Sequence, residues 1–200
     1  MNIRTARHFA RVSGGLLCLI FVAPPAHGTL SARYAISSMT SAVTPSQKIG
    51  KIKQGFICAP KGSLQFGDLQ RVEEDSLRRR IAALSGQAPY VVDQPDNRFP
   101  SASHPPSHTL VGRLERMDLD LCVPGANIGI GSRKSKGSGK MVFTWEAWRQ
   151  ADKSLAARRT YEIPLHLAGA DPRRSSEWLE EYLALSAVQF LKETSGGSGE

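Results

Sequence analysis

Cysteine, aromatic residues and long apolar runs are all scarce in this 200-residue chain. Its three cysteines, at positions 18, 58 and 122, form no C-x-x-C pair, which removes the usual signature of a thiol-redox enzyme. Aromatics make up 7% of the residues and are not interleaved with the most basic stretch, which argues against a stacking platform for single-stranded nucleic acid. No segment reaches the ~20 consecutive apolar residues that a membrane-spanning helix needs. A G-x-S-x-G nucleophile frame is also missing, and no other pattern singles out a catalytic serine.

What is present begins with an export signature. Arg4, Arg7 and Arg11 precede the apolar run from Gly14 to Ala23, and Ala26-His27-Gly28 supplies small residues at the positions a signal peptidase inspects. Residues 1–28 therefore read as a cleaved signal peptide and the mature chain as periplasmic or secreted. Leu17 stands before Cys18 where lipoprotein signals carry a small residue, so lipidation at Cys18 is the less favoured alternative. The net charge is +8, and a chain cleaved after Gly28 keeps 23 basic and 18 acidic residues, or +5. That excess suits an anionic envelope surface without requiring nucleic acid.

Cleavage leaves Cys58 and Cys122. Both stand at the end of a β-type run and two residues before a proline, Pro60 and Pro124. An even cysteine count in an oxidising compartment predicts a structural disulfide between them.

Residues 29–46 are rich in Ser, Thr and Ala with no sustained period and read as a flexible linker. Residues 93–108 contain four prolines and read as a disordered loop, and the tail 194–200 as flexible. Between these segments, 47–193 reads as one domain.

Lys48 to Cys58 is predicted as a strand. Asp68 is predicted to cap a helix reaching about Leu84, with Leu69, Val72, Leu77, Ile81 and Leu84 near one face. Within it, Glu74–Arg78 and Asp75–Arg79 fall at i,i+4 spacing, and Gly86 supplies the stop. A short strand follows at Tyr90–Val92, and a long one at Leu110–Val123 whose apolar parity switches between Leu114 and Met117. That switch predicts a β-bulge near Glu115 and Arg116. Met141–Arg149 and Arg159–Leu167 alternate cleanly, with Pro164 marking the latter as an edge or bulged strand. A closing amphipathic helix starts near Asp171 or Ser175 and runs to about Lys192. The predicted fold is α+β: a mainly antiparallel sheet of about four to five strands with two helices on one face.

The Leu110–Leu114 strand, the Trp145–Trp148 strand, the turn at Asp152 and the terminal helix together resemble a group of bacterial envelope domains. The layout is similar to the small α/β domains of ABC-transport auxiliary lipoproteins and to the amino-terminal domain of TolB, over residues 48 to 193. That resemblance implies an accessory or partner-binding role and no catalytic motif.

Candidate chemistry is sparse. Asp118 and Asp120 share a strand face, where paired carboxylates serve a hydrolase or hold a cation, yet Arg116 precedes them on the same face and the trio equally describes a wet surface. His104 and His108 in HPPSH cannot share a helical face across Pro105-Pro106, so no metal site is assigned. The stretch GIGSRKSKGSGK, residues 129–140, is Gly- and Lys-rich, but the phosphate-loop pattern needs glycine where Lys134 stands and Ser or Thr where Met141 stands. It reads instead as a mobile connection carrying Arg133, Lys134, Lys136 and Lys140 toward an anionic partner. The sequence as a whole points to an exported, non-enzymatic accessory or binding protein of the cell envelope that needs no cofactor. The alternative is a hydrolase-like enzyme using the carboxylates of the 116–120 strand.

Overall fold

The computed structural model describes residues 32–55, 57–86, 90–92, 105–123, 136–168 and 174–195, within one compact unit spanning Ser31–Glu200. The expected signal peptide, loop residues 93–104, Arg133, Lys134 and the tail from residue 196 lie outside the described residues.

Among the described residues, seven strands and two α-helices follow in the order β1 (Ala32–Ser41), β2 (Lys48–Gln54), β3 (Ala59–Gln65), a 3-10 turn (Phe66–Asp68), α1 (Glu74–Ser85), β4 (Tyr90–Val92), β5 (His108–Val123), β6 (Lys136–Arg149), β7 (Leu155–His166) and α2 (Ser175–Ser195). The chain is α+β as expected, but the sheet is larger and more mixed than the sequence implied. β5 is its axis. Along one edge it pairs with β6 from His108↔Arg149 to Cys122↔Lys136, antiparallel, and β6 pairs in turn with β7. Its other edge is shared by two strands in tandem. β1 runs parallel to it from Tyr34↔His108 to Ser41↔Leu114, and β2 runs parallel from Gly50↔Leu119 to Gln54↔Val123. β4 extends the sheet beside β1 and β3 beside β2.

β1 and β2 are thus consecutive pieces of one path along β5, broken by an excursion of residues 42–47. Residues 32–41 are a paired strand and not the flexible linker that their composition suggested. Tyr34 and Ile36 point into the core at period two, and the register then slips between Ile36 and Ser38. That bulge shifts the inward parity to Met39, so no single period runs through the segment.

The bulge expected in β5 lies between Leu114 and Arg116. It lets Leu110 and Leu114 before it, and Met117, Leu119 and Leu121 after it, all enter the core despite their opposite parity. Met141, Phe143, Trp145 and Ala147 are buried beside them as predicted. On the opposite sheet face, Thr144 and Thr160 hydrogen-bond at 2.9 Å, Arg158 pairs with Glu146 at 3.2 Å and Lys140 with Glu162 at 2.9 Å. Pro164 stands opposite Lys140 on β7, which has β6 as its single strand neighbour among the described residues.

Asp68 does not cap α1. Its carboxylate accepts the Gln65 N–H at 2.8 Å and closes the 3-10 turn, and the chain stays non-helical through residues 69–73. Asp68 is the third residue of that turn and its carboxylate reaches back to the N–H that precedes it, so it closes the short turn it belongs to instead of opening a helix after it. Leu69 and Val72 therefore belong to a strap ahead of the helix, while Leu77 and Ile81 form its buried stripe and Leu84 is exposed. Arg78 binds Glu74 at 3.3 Å and Asp75 at 3.0 Å, and Gly86 at φ +48° ends the helix. α2 buries Leu179, Leu183, Ala187 and Phe190 as its spacing predicted, and α1 and α2 pack on one another over the core face of the sheet.

Candidate functional site

Cys58 and Cys122 are bonded to one another, with Cα atoms 5.4 Å apart and a sequence separation of 64. The parallel pairing of β2 with β5 brings the two strand ends together. β2 stops at Gln54, earlier than predicted, and Cys58 sits in the following turn at φ +52°, a backbone region that L side chains seldom adopt. Because Cys122 faces Lys136 across the β5–β6 ladder, the disulfide is fixed beside the start of β6.

The expected basic loop is in part a strand. Lys136 and Lys140 open β6, and Lys140 is tied to Glu162, whose carboxyl this ammonium holds below its ordinary value through a hydrogen bond and charge attraction. Glycines at alternate positions had disguised this strand as a turn: Gly137 and Gly139 pair with Leu121 and Leu119 where side chains normally advertise the period. Asp118 is solvent-exposed, and the Asp120 carboxylate is held by Lys53 at 2.6 Å. His108 begins β5, stacks on Tyr34 with ring centroids 5.1 Å apart, and shares a 2.9 Å hydrogen bond between Nδ1 and the Ser107 hydroxyl. Among the described residues no three His, Cys, Asp or Glu side chains gather into a metal site. Asp120 and His108 are thus each held by their own neighbours, while Asp118 faces solvent.

A concave feature among the described residues lies elsewhere, on the core side of the sheet, where the β1–β2 path is broken. A cavity of about 570 Å³ opens there. Its floor is Leu114 and Met117, which flank the β5 bulge, with Met141 and Phe143 from β6. Leu179 and Leu183 of α2 form the back wall. Two irregular segments make its sides: the excursion carrying Val43 and Pro45, and the strap carrying Phe66, Leu69 and Val72. They are fastened to each other, Gly67 N–H donating to the Pro45 carbonyl at 2.7 Å and Phe66 N–H to that of Gln47 at 3.0 Å. The strap is also fastened to α2. The Gln70 N–H donates to the fully buried Ser175 hydroxyl at 2.7 Å, and the Ser176 hydroxyl donates to Gln70 Oε1 at 3.1 Å.

Polarity is confined to the rim. Thr40, Ser41, Gln70 and Arg71 are the exposed polar residues that border the cavity, and Arg71 is its one charged lining residue among those described. Met39, Met117 and Met141, every methionine after Met1, also line it. A volume near 570 Å³ falls within the ~300–1,000 Å³ of small-molecule sites. The apolar interior gives water few partners and suits an apolar guest.

None of these lining residues had been picked out as functional in the sequence. They come from six separate segments, and the one local hint, the parity switch in β5, predicts a bulge without saying that a cavity sits over it.

No family model matches this chain, and no curated protein matches it. Among solved structures it is similar to a Xanthomonas campestris protein of the DUF330 family, at 12% identity and a TM-score of 0.48, covering 86% of this chain and 90% of that one. A hypothetical protein from Chlamydia trachomatis matches at 8% identity and a TM-score of 0.40, covering 83% and 94%. A neuraminyllactose-binding hemagglutinin homolog from Helicobacter pylori matches at 10% identity and a TM-score of 0.31, covering 86% and 89%. These are loose likenesses of shape, and no ligand or activity passes from them to this chain. None of the three is named as an ABC-transport auxiliary lipoprotein or as TolB.

Proposed function

We propose that this chain is an exported accessory protein of the bacterial cell envelope that acts by binding and not by catalysis, as the auxiliary-lipoprotein and TolB-like layout implies. The observation that carries the reading is the preformed apolar cavity with a polar rim. It offers a place to hold a ligand and brings no paired acid and base to a common point. The Cys58–Cys122 bridge supports an oxidising compartment, and the arginine-led apolar run at the N-terminus supports export to it. No helix among the described residues is long and apolar enough to cross a membrane. Arg133, Lys134, Lys136 and Lys140 are the residues that meet an anionic surface or an envelope partner, and of these Lys136 stands opposite Cys122 in the β5–β6 ladder.

Expression of the full chain in a bacterial host, followed by fractionation and intact-mass analysis, tests this. The expected product lies in the periplasmic or envelope fraction, begins near Thr29 and has no thiol that labels before reduction. A full-length precursor in the cytosol with free Cys58 and Cys122 overturns the reading.

A further inference from the structure

The cavity grades from apolar to cationic. Its depth is built from Leu, Met and Phe side chains, and its rim carries Arg71. Arg71 lies on the strap between the 3-10 turn and α1, is exposed, and forms no ion pair with the described residues, unlike Arg78 and Arg80 nearby. A ligand complementary to that gradient is long and apolar at one end and anionic at the other. The three methionines favour a guest without fixed shape, because their unbranched thioether chains repack readily around irregular contours. The strap and the excursion are hydrogen-bonded to each other and to α2, so the mouth is framed by backbone.

We propose that the cavity is a binding site for a single-chain anionic amphiphile, its acyl chain packing on the half-buried Met39, Phe66 and Val72 above the Met117 and Met141 floor and its carboxylate or phosphate head meeting Arg71. This site specifies the ligand class of the envelope-binding reading above and rests on it for biological context. In the envelope, where acyl chains abound, the ligand is a lipid component, and the protein shields its chain from water.

Calorimetric titration of the full chain, purified, oxidised and delipidated, with palmitate tests this. Palmitate binds saturably at one site per chain, and laurate binds more weakly, by roughly tenfold for each two carbons removed. Arg71→Gln weakens palmitate about fivefold, as loss of an exposed charge pair should, and leaves hexadecanol unchanged. Met117→Trp fills the cavity from the sheet and abolishes binding. If that variant misfolds, Leu179→Trp fills it from α2, with circular dichroism confirming the fold. Absence of saturable binding, equal affinity for palmitate and hexadecanol in the unmodified protein, or undiminished binding in the folded tryptophan variant overturns the proposal. Displacement of palmitate by a peptide alone, with no intrinsic preference for chain length, does so as well. The titration does not depend on where the protein resides: failure here with correct export removes the amphiphile site alone, and binding by a chain that stays cytosolic removes the envelope reading alone.

Discussion

Trp145 donates its indole Nε1–H to the hydroxyl of Ser186 at 2.9 Å, joining the middle of β6 to α2 inside the core. The serine hydroxyl donates in turn to the Leu183 carbonyl at 2.8 Å, so both polar groups are satisfied at a site with almost no solvent access. This pair fixes α2, and with it the cavity wall formed by Leu179 and Leu183, over the sheet.

Replacing Ser186 with Ala leaves the indole N–H buried without an acceptor, a loss of about 1–3 kcal/mol. Urea unfolding of S186A should show a lower midpoint with an unchanged slope. An unchanged midpoint would mean that α2 is held by its apolar stripe alone.

The Cys58–Cys122 bridge closes a loop of intermediate length, for which the chain-entropy account gives about 4 kcal/mol. Unfolding followed by tryptophan fluorescence with and without reductant should show that loss. C58S/C122S should match the reduced protein and should not respond to reductant.

Gly50 opens the parallel pairing of β2 with β5 at the end of the excursion, and a Cβ there would run into the backbone carbonyl of Leu119. The obstacle is backbone within a ladder, which cannot rotate aside as a side chain would. G50A should therefore separate β2 from β5 locally and lose more than the ~1–3 kcal/mol of ordinary overpacking. Hydrogen exchange at Lys51, Ile52 and Lys53 should accelerate in that variant before any change at β6.

His108 should make stability fall on mild acidification. Burial first, and then the charge of Arg149 across the ladder, hold its imidazole below the ordinary value of 6.5. Between the folded and the unfolded value the unfolded chain binds more protons, so stability rises with pH through that window and declines as pH drops below about 6.5. H108Q should flatten the pH dependence of the urea midpoint from about pH 7.5 to about pH 5.5. Glu193, which accepts the Tyr161 hydroxyl at 2.7 Å and is held below 4.5 mainly by that bond, adds its own loss only at lower pH.

The parts of this fold that were legible in the sequence are those with an uninterrupted period. Met141 to Ala147 alternates without a break, and α2 repeats at three and four. The parity switch between Leu114 and Met117 located the β5 bulge because both flanking runs were strongly apolar. β1 was not legible because a second bulge interrupts it among serines and threonines, where neither face declares itself by hydrophobicity. Asp68 misled because a short turn and a long helix use the same capping chemistry. The disulfide could be anticipated from its cysteines alone. The cavity could not, since its walls meet only once the β1–β2 path along β5 is known to be broken.

The most direct test is native mass spectrometry of the chain recovered from the envelope fraction without delipidation. The account predicts a processed, disulfide-bonded protein carrying one amphiphile of acyl-lipid mass, released on denaturation and missing from folded M117W. Bare protein in the wild-type sample, or the same adduct on both proteins, would contradict it.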